Sequence, residues 1–368
     1  MSVPDNGSII AHAPCRVDLA GGTMDIWPLY LFHPGAVTVN FGVNILTRCR
    51  LTCLPGTRIH LKSIDTGREE EFSSLDQLCS TRRYKHPLAA CLLRFFAPRG
   101  GLAIETNSES PAGAGISGSS ALMVAMTAAL SRYTGRKLDR EDIRVVAQNA
   151  EAQLIRVPTG CQDYYPALYG GVNAIHLDVD GIHREPIAVA PEELDSRFVL
   201  TYTGAPRQSG INNWRVFQDH INNKGRVFHN FERIGEIARA VHQALSRADW
   251  HELARLIREE WKLRKTNAPG ISTPTIEKLI TIASRNGAVA AKVCGAGGGG
   301  CVVFLTEPDD KERVTQTLRS YGGHVLPATV AREGLTITGK AGLRPAEVEA
   351  SGIGPGSAAF RRREKNGF

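Results

Sequence analysis

The stretch Pro111-Ala112-Gly113-Ala114-Gly115-Ile116-Ser117-Gly118-Ser119-Ser120-Ala121 constrains this chain more than any other. Every residue in it except Pro111 and Ile116 is Gly, Ala or Ser. It lies between a strand-like run at 101–106 and an apolar, helix-like run at 120–133. Glycines let a backbone curl and approach a ligand without Cβ clashes. Backbone N–H groups then converge at a helix N-terminus, where the helix dipole favours anions. Ser117, Ser119 and Ser120 add hydroxyls that suit phosphate or magnesium, so a polyphosphate fits this chemistry. The stretch contains G-x-G-x-x-G from Gly113 to Gly118. A dinucleotide fold would need an acidic residue closing a strand about 20 residues on. Asp139 stands at that distance, and it opens a helix instead. The G-x-x-x-x-G-K-[ST] loop and the protein-kinase signatures do not occur.

Two further segments carry information. In Lys292–Val302 five of the six positions 295–300 are glycine, between two strand-like runs. Such a run weakens an ordinary hairpin and makes sense where another backbone or a ligand comes very close. In Ala13–Asp25 a charged Arg16 stands inside an apolar strand, which is costly unless it is paired. Asp25 follows a Gly21-Gly22 turn, where a carboxylate can face a pocket.

The chain has 368 residues with 42% hydrophobic content. That length suits two domains, and that composition excludes global disorder. No run of about 18 apolar residues occurs, so no spanning helix is expected. The N-terminus shows no basic-then-apolar secretion pattern. The eight cysteines form no C-x-x-C pair and no zinc spacing, which reads as reduced, cytoplasmic thiols. The net charge of +7 is partly local, because residues 340–368 carry six Lys/Arg against three Glu. The pattern of apolar runs and turn residues gives a strand-rich first half and helices near 87–97, 120–133 and after Asp139. A charged, helix-rich segment follows at 211–262, and then a strand–glycine–strand unit. Mixed rather than alternating strands and helices favour an α+β fold. The expected domains are 1–185 and 186–335, followed by a flexible basic tail, 340–368.

Together the three segments resemble the GHMP kinase superfamily, whose members share an A-P-[GC]-[RK]-[VI]-x-L-x-G-G/E-x-x-D start, a P-x-G-x-G-L-G-S-S-S-A phosphate loop and a K-x-[ST]-G-A-G-G-G-G-C loop. They occur in the family's order and span residues 13 to 301. Cys294 takes the [ST] place. The stretch at 151–174 and the segment Thr203–Ser209 are similar to the sugar kinase branch, as in heptose 7-phosphate kinases, fucokinases and galactokinases. Tyr164 stands where Gln usually follows the catalytic Asp. The resemblance implies a two-domain fold, with a ribosomal protein S5 domain 2-like N-terminal domain, a ferredoxin-like C-terminal domain and an active site between them.

The implied activity is ATP-dependent phosphorylation of a sugar or sugar-phosphate hydroxyl, the anomeric one first. By motif position, Asp163 would accept or orient the acceptor proton and Arg16 would pair with it. Pro111, Gly113, Ala114, Gly115, Ser117, Gly118, Ser119 and Ser120 would hold ATP. Ser119 and Glu151 would bind Mg2+, with Ser120 as the alternative ligand. Asp25, Gly22, Gly297 and Arg207 would meet the substrate. Adenine contacts are expected near 60–85. Competing readings are a kinase of this superfamily for homoserine, mevalonate-type or cyclitol acceptors, an inactive sugar sensor, and RNA binding through the first half. The missing interleaved basic and aromatic residues argue against nucleic acid. No membrane partner is expected, and monomer and homodimer stay equally open.

Overall fold

The computed structural model describes residues 7–206 and 209–339. The first part of the chain forms β1 (Ser8–Ala20), β2 (Ala36–Leu54), β3 (Ile59–Ser63), β4 (Glu69–Phe72), α1 (Leu75–Ser80), α2 (Pro87–Phe96) and β5 (Gly101–Ser108). It continues through α3 (Gly118–Thr134), α4 (Arg140–Ile155), α5 (Tyr164–Tyr169), β6 (Val172–Asp178) and β7 (Gly181–Pro186). The second part holds α6 (Pro191–Asp195), β8 (Phe198–Tyr202), α7 (Ser209–Ile221), α8 (Val227–Ser246), α9 (Trp250–Arg264) and α10 (Pro274–Arg285). It ends with β9 (Ala288–Val293), β10 (Cys301–Thr306), α11 (Lys311–Ser320), β11 (His324–Leu326) and β12 (Thr336–Thr338).

Two sheets result. The larger runs β12-β1-β2-β5-β3-β4, with β6 pairing β2 and β7 pairing β6. The smaller is antiparallel, in the order β11-β8-β10-β9. Besides β1, β2 serves two further partners, because its first residues pair with β6 and its last with β5. β1 shows why one strand can carry a site. Its first residues alternate between buried and half-buried, whereas everything from Ala13 to Ala20 is buried. A strand covered on both faces loses the alternation. Here α3 packs on β1 and β2, and α8 also packs on both. The β1–β2 register shifts between Pro14, which faces Leu46, and Cys15, which faces Val43. Such irregularities bend a strand and re-aim its side chains, and this one falls beside Arg16.

The helix ends follow local chemistry. Asp139 caps α4 in a reciprocal capping box with Asp142, and Gly135 closes α3 in the left-handed conformation. β11 is not the end of the fold. The chain continues to β12, which returns to the larger sheet and pairs with β1, placing Ile10 opposite Thr338. The Thr336–Thr338 run is β-branched but only three residues long, and the partner that makes it a strand lies more than 300 residues away.

Candidate active site

The loop before α3 curls through left-handed conformations at Gly113, Gly115 and Ser117. It lines a cavity of about 500 Å³, within the range typical of ligand pockets. Pro111, Gly113, Ala114, Gly115, Ser117, Gly118, Ser119 and Ser120 all line it, as do Glu151 and Asp163. Ser117 holds a positive φ of 66° without being glycine, a strained state that clusters at functional sites. Its Oγ is buried and has no hydrogen-bond partner among the described residues, so a ligand oxygen in the cavity would satisfy it. The same cavity is also lined by the apolar Leu61, Leu88, Ile104 and Met126 and by the basic Lys62, Arg68 and Lys85.

Asp163 opens α5 but does not cap it, since its side chain makes no hydrogen bond to the helix N-terminus. Its carboxylate turns to Arg16 instead. Arg16 Nε donates to Asp163 Oδ1 at 2.8 Å, and a second guanidinium nitrogen lies 2.6 Å from the same oxygen. The remaining guanidinium nitrogen donates to the Gly115 carbonyl at 2.8 Å. Arg16 is 2% exposed and Asp163 25% exposed. The buried cation is therefore fully engaged, tying the glycine loop to a carboxylate that faces the cavity. Such a pairing is what allows an arginine inside an apolar strand.

Glu151, buried on α4, is held by three hydroxyls. Ser119 Oγ donates to Oε1 at 2.6 Å, and Ser120 Oγ and Tyr164 OH donate to Oε2 at 2.7 and 2.6 Å. Ser120 and Tyr164 fix the carboxylate plane and leave Oε1 with Ser119, the exposed hydroxyl at the cavity. Burial and the Glu151 charge push the Tyr164 phenol well above its usual range, so it stays a donor. An all-oxygen pair of one hydroxyl and one carboxylate is a donor set that fits Mg2+.

Beside Asp163 a second, smaller recess of about 40 Å³ is lined by Arg16, Thr23, Asp25, Gly160, Gln162 and Gly295, among others. Asp25 is 2% exposed. It accepts the Gln162 backbone N–H at 2.8 Å. Burial pushes its carboxyl up to about 7; that hydrogen bond opposes the shift and the neighbouring Asp163 charge adds to it. Gly295 and Ala296 reach the recess, whereas Gly297 packs against the Ile271 carbonyl. Gly22 likewise faces Gln162 and Asp18 and does not line the recess. Gly300 shows what the second glycine run does: a Cβ there would sit 2.6 Å from the Ala114 carbonyl oxygen. Cys301 N–H donates to that same oxygen at 2.6 Å. The two glycine loops thus lean on each other. Arg207 lies outside the described residues.

Behind the recess lies a cluster that no local pattern announces. Lys292 is fully buried between Asp18 and Glu260, 3.2 Å from each, and also donates to the Leu19 carbonyl. Arg264 pairs with Glu260 and donates to the Gly22 carbonyl at 3.0 Å. Two cations thus meet two anions, and the set braces the Gly21–Asp25 turn against α9 and β9.

Models of two protein families match the chain. The GHMP kinases N terminal domain covers residues 84–171 and the GHMP kinases C terminal domain residues 241–324. The chain belongs to the GHMP kinase family. The D-glycero-alpha-D-manno-heptose 7-phosphate kinase of Campylobacter jejuni is 26% identical over 342 residues, covering 89% of this chain and 98% of that one. The L-fucokinase/L-fucose-1-P guanylyltransferase of Bacteroides fragilis is 25% identical over 83% of this chain, but the match spans only 35% of that longer protein. Among solved structures, a D-glycero-D-manno-heptose 1-phosphate kinase from Bacteriodes thetaiotaomicron superposes with a TM-score of 0.71 at 23% identity, covering 90% of this chain and 99% of that one. Lactococcus lactis galactokinase complexed with galactose gives a TM-score of 0.72 at 16% identity, covering 89% and 95%. At these identities the superpositions establish a shared α+β GHMP kinase fold. In this GHMP kinase, Tyr164 has a visible job, anchoring Glu151, and only the structure reveals it.

Proposed function

We propose that this GHMP kinase transfers the terminal phosphoryl group of ATP to a hydroxyl of a sugar phosphate, the anomeric hydroxyl of a heptose 7-phosphate being the preferred acceptor. The observation that carries the reading is Arg16, clamped between the Gly115 carbonyl of the glycine loop and the Asp163 carboxylate. That places a fixed positive charge and a carboxylate together where the large cavity meets the recess. Nearly full-length similarity to a heptose 7-phosphate kinase supports the acceptor class. The match to the Saccharolobus solfataricus mevalonate kinase, which covers 66% of this chain, supports the non-sugar alternative less well.

Phosphoryl transfer is mostly positioning and charge stabilisation. The triphosphate occupies the loop of residues 111–120, its oxygens taking the backbone N–H groups and the Ser117 hydroxyl. The adenine lies against the apolar Leu61, Leu88 and Met126, which line the same cavity. The acceptor enters the recess, where Asp25 grips its hydroxyls. Both Arg16 contacts use Asp163 Oδ1, and Oδ2 takes the acceptor proton as the oxygen attacks the γ-phosphorus and the bond to the β-phosphate oxygen breaks. Arg16 balances the charge on the moving phosphoryl group. Ser119 and Glu151 would hold Mg2+, which neutralises phosphate charge when bound. The cysteines are scattered without a C-x-x-C or zinc spacing, which supports a reducing, cytoplasmic setting.

A panel assay tests the substrate class. The full chain is incubated with MgATP and, separately, hexoses, heptoses, heptose 7-phosphate, mevalonate and homoserine, and products are read by phosphorus NMR. A new phosphate ester at the anomeric carbon of heptose 7-phosphate is expected. Phosphorylation of mevalonate or homoserine but of no sugar would overturn the reading.

A further inference from the structure

Away from the cavity, three side chains from three elements converge. His176 stands on β6, Glu185 on the paired strand β7, and His242 on α8. His176 Nε2 lies 2.8 Å from Glu185 Oε2, and His242 Nε2 lies 3.4 Å from Glu185 Oε1. The imidazole centroids are 5.4 Å apart with planes at 66°. One ligand atom from each residue falls within 4.8 Å of the others. None of the three lines the cavity or the recess. The sheet register explains the approach: His176 is opposite His183 and Ala174 is opposite Glu185, so His176 and Glu185 are diagonal neighbours, which long side chains bridge.

Both imidazoles aim Nε2 at the two oxygens of one carboxylate. Among the described residues, the ion partners of Glu185 are these two histidines. Two imidazole nitrogens and a carboxylate are a donor set that borderline divalent ions take, whereas magnesium and calcium prefer oxygen alone. Ligand atoms about 2.0–2.2 Å from a tetrahedral zinc are roughly 3.3–3.6 Å apart. The two histidine–glutamate separations, 2.8 and 3.4 Å, are close to that spacing. His176 is 40% and Glu185 54% exposed, so both side chains have room to turn toward an ion shared with the more buried His242.

We propose that His176, Glu185 and His242 form a site for a divalent transition metal ion of the zinc class, clipping the β6–β7 hairpin to α8. Water fills the remaining coordination positions. The clip has a structural consequence. Ala238, one turn before His242 on α8, lies 3.2 Å from where a Cβ on Gly21 would sit. The ion therefore fixes α8 where it backs the turn that carries Asp25.

The test uses the full chain, stripped with a chelator and titrated with Co2+ under visible absorption, with Zn2+ as competitor. One equivalent of Co2+ is expected to bind, with d–d bands that Zn2+ abolishes. Losing a partner that merely orients a metal ligand costs about 10–100-fold in affinity, so losing a ligand costs at least that. His242→Gln and Glu185→Gln are each expected to weaken binding to that extent. His229→Ala, at an exposed position of the same helix, is expected to leave it unchanged. Circular dichroism checks that the variants are folded. Absence of stoichiometric binding at millimolar metal, or binding that both ligand variants retain, overturns the proposal.

Discussion

Gly160 separates the large cavity from the recess and lines both. A Cβ at this position would sit 1.9 Å from Asp25 Oδ2 and 2.4 Å from Asp25 Cγ, where ordinary contact begins at 3.4 Å. Gly160→Ala therefore forces the carboxyl back by about 1.5 Å, the difference between 3.4 and 1.9 Å. Asp25 is buried and held by the Gln162 N–H at 2.8 Å, so it cannot retreat without losing that bond and its place in the recess. A hydrogen bond to a charged group contributes about 1.5–3 kcal/mol. Losing one to the acceptor lowers kcat/KM for the sugar by about 10–150-fold. The new methyl points at Asp25, so KM for ATP stays at the wild-type value. Steady-state kinetics with each substrate varied in turn, alongside a thermal melt, reads the effect. An unchanged sugar kcat/KM in a folded variant would refute the reasoning, and so would a rise in ATP KM that matches the loss on the sugar side.

Three other outcomes follow from the packing. Lys292→Met leaves Asp18 and Glu260 buried with Arg264 as their one cation in the cluster. Breaking such a set costs about 3–5 kcal/mol, measured by urea denaturation, and a loss below about 1 kcal/mol would contradict the role given to the cluster. Tyr164→Phe removes one of the two hydroxyls on Glu151 Oε2; the concentration of Mg2+ needed for half-maximal rate is expected to rise while KM for the sugar holds, and an unchanged metal requirement would refute the anchoring role. His33 Nε2 and His220 Nε2 are 2.7 Å apart in an aromatic pocket with Phe228 and Phe231. Burial, and then the His33 charge, lowers His220 from 6.5 to about 4. The unfolded chain therefore binds more protons across that window, so this pair's contribution to stability is full above about pH 7 and falls as pH drops toward 4. Asp25 works in the opposite direction, its raised carboxyl losing stability as pH rises from about 4 toward 7. The comparison is thus between wild type and His220→Phe, melted from pH 7.5 to 5. The wild type is expected to lose more on acidification, and equal losses would count against the shared-proton pair.

The sequence exposes the parts of this site that are built from contiguous residues. The glycine–serine loop can curl because glycine enters left-handed conformations without a Cβ clash, and it feeds a helix that Gly135 ends. Asp139 announces α4 through its capping box. Arg16, a charge inside an apolar strand, demands a partner, and its partner is Asp163. What the sequence hides is pairing over distance. Lys292 and Asp18 are 274 residues apart. Glu260 reads as an ordinary member of the charged segment 211–262 and Arg264 falls just past its expected end, since nothing local says that this face of α9 is turned inward. Tyr164 looks like a departure from a motif, and its hydroxyl acquires meaning only once α4 and α5 are packed together. The return of β12 to β1 is invisible for the same reason.

The central claim is that Asp163, poised by Arg16, drives transfer from ATP bound in the glycine loop. Rapid-quench single turnover with labelled ATP and saturating heptose 7-phosphate, comparing wild type with Asp163→Asn, tests it most directly when ATP affinity is measured in parallel. The expected result is a transfer rate lower by about 10²–10⁴-fold with ATP affinity preserved. A variant that transfers phosphate at close to the wild-type rate would contradict the account.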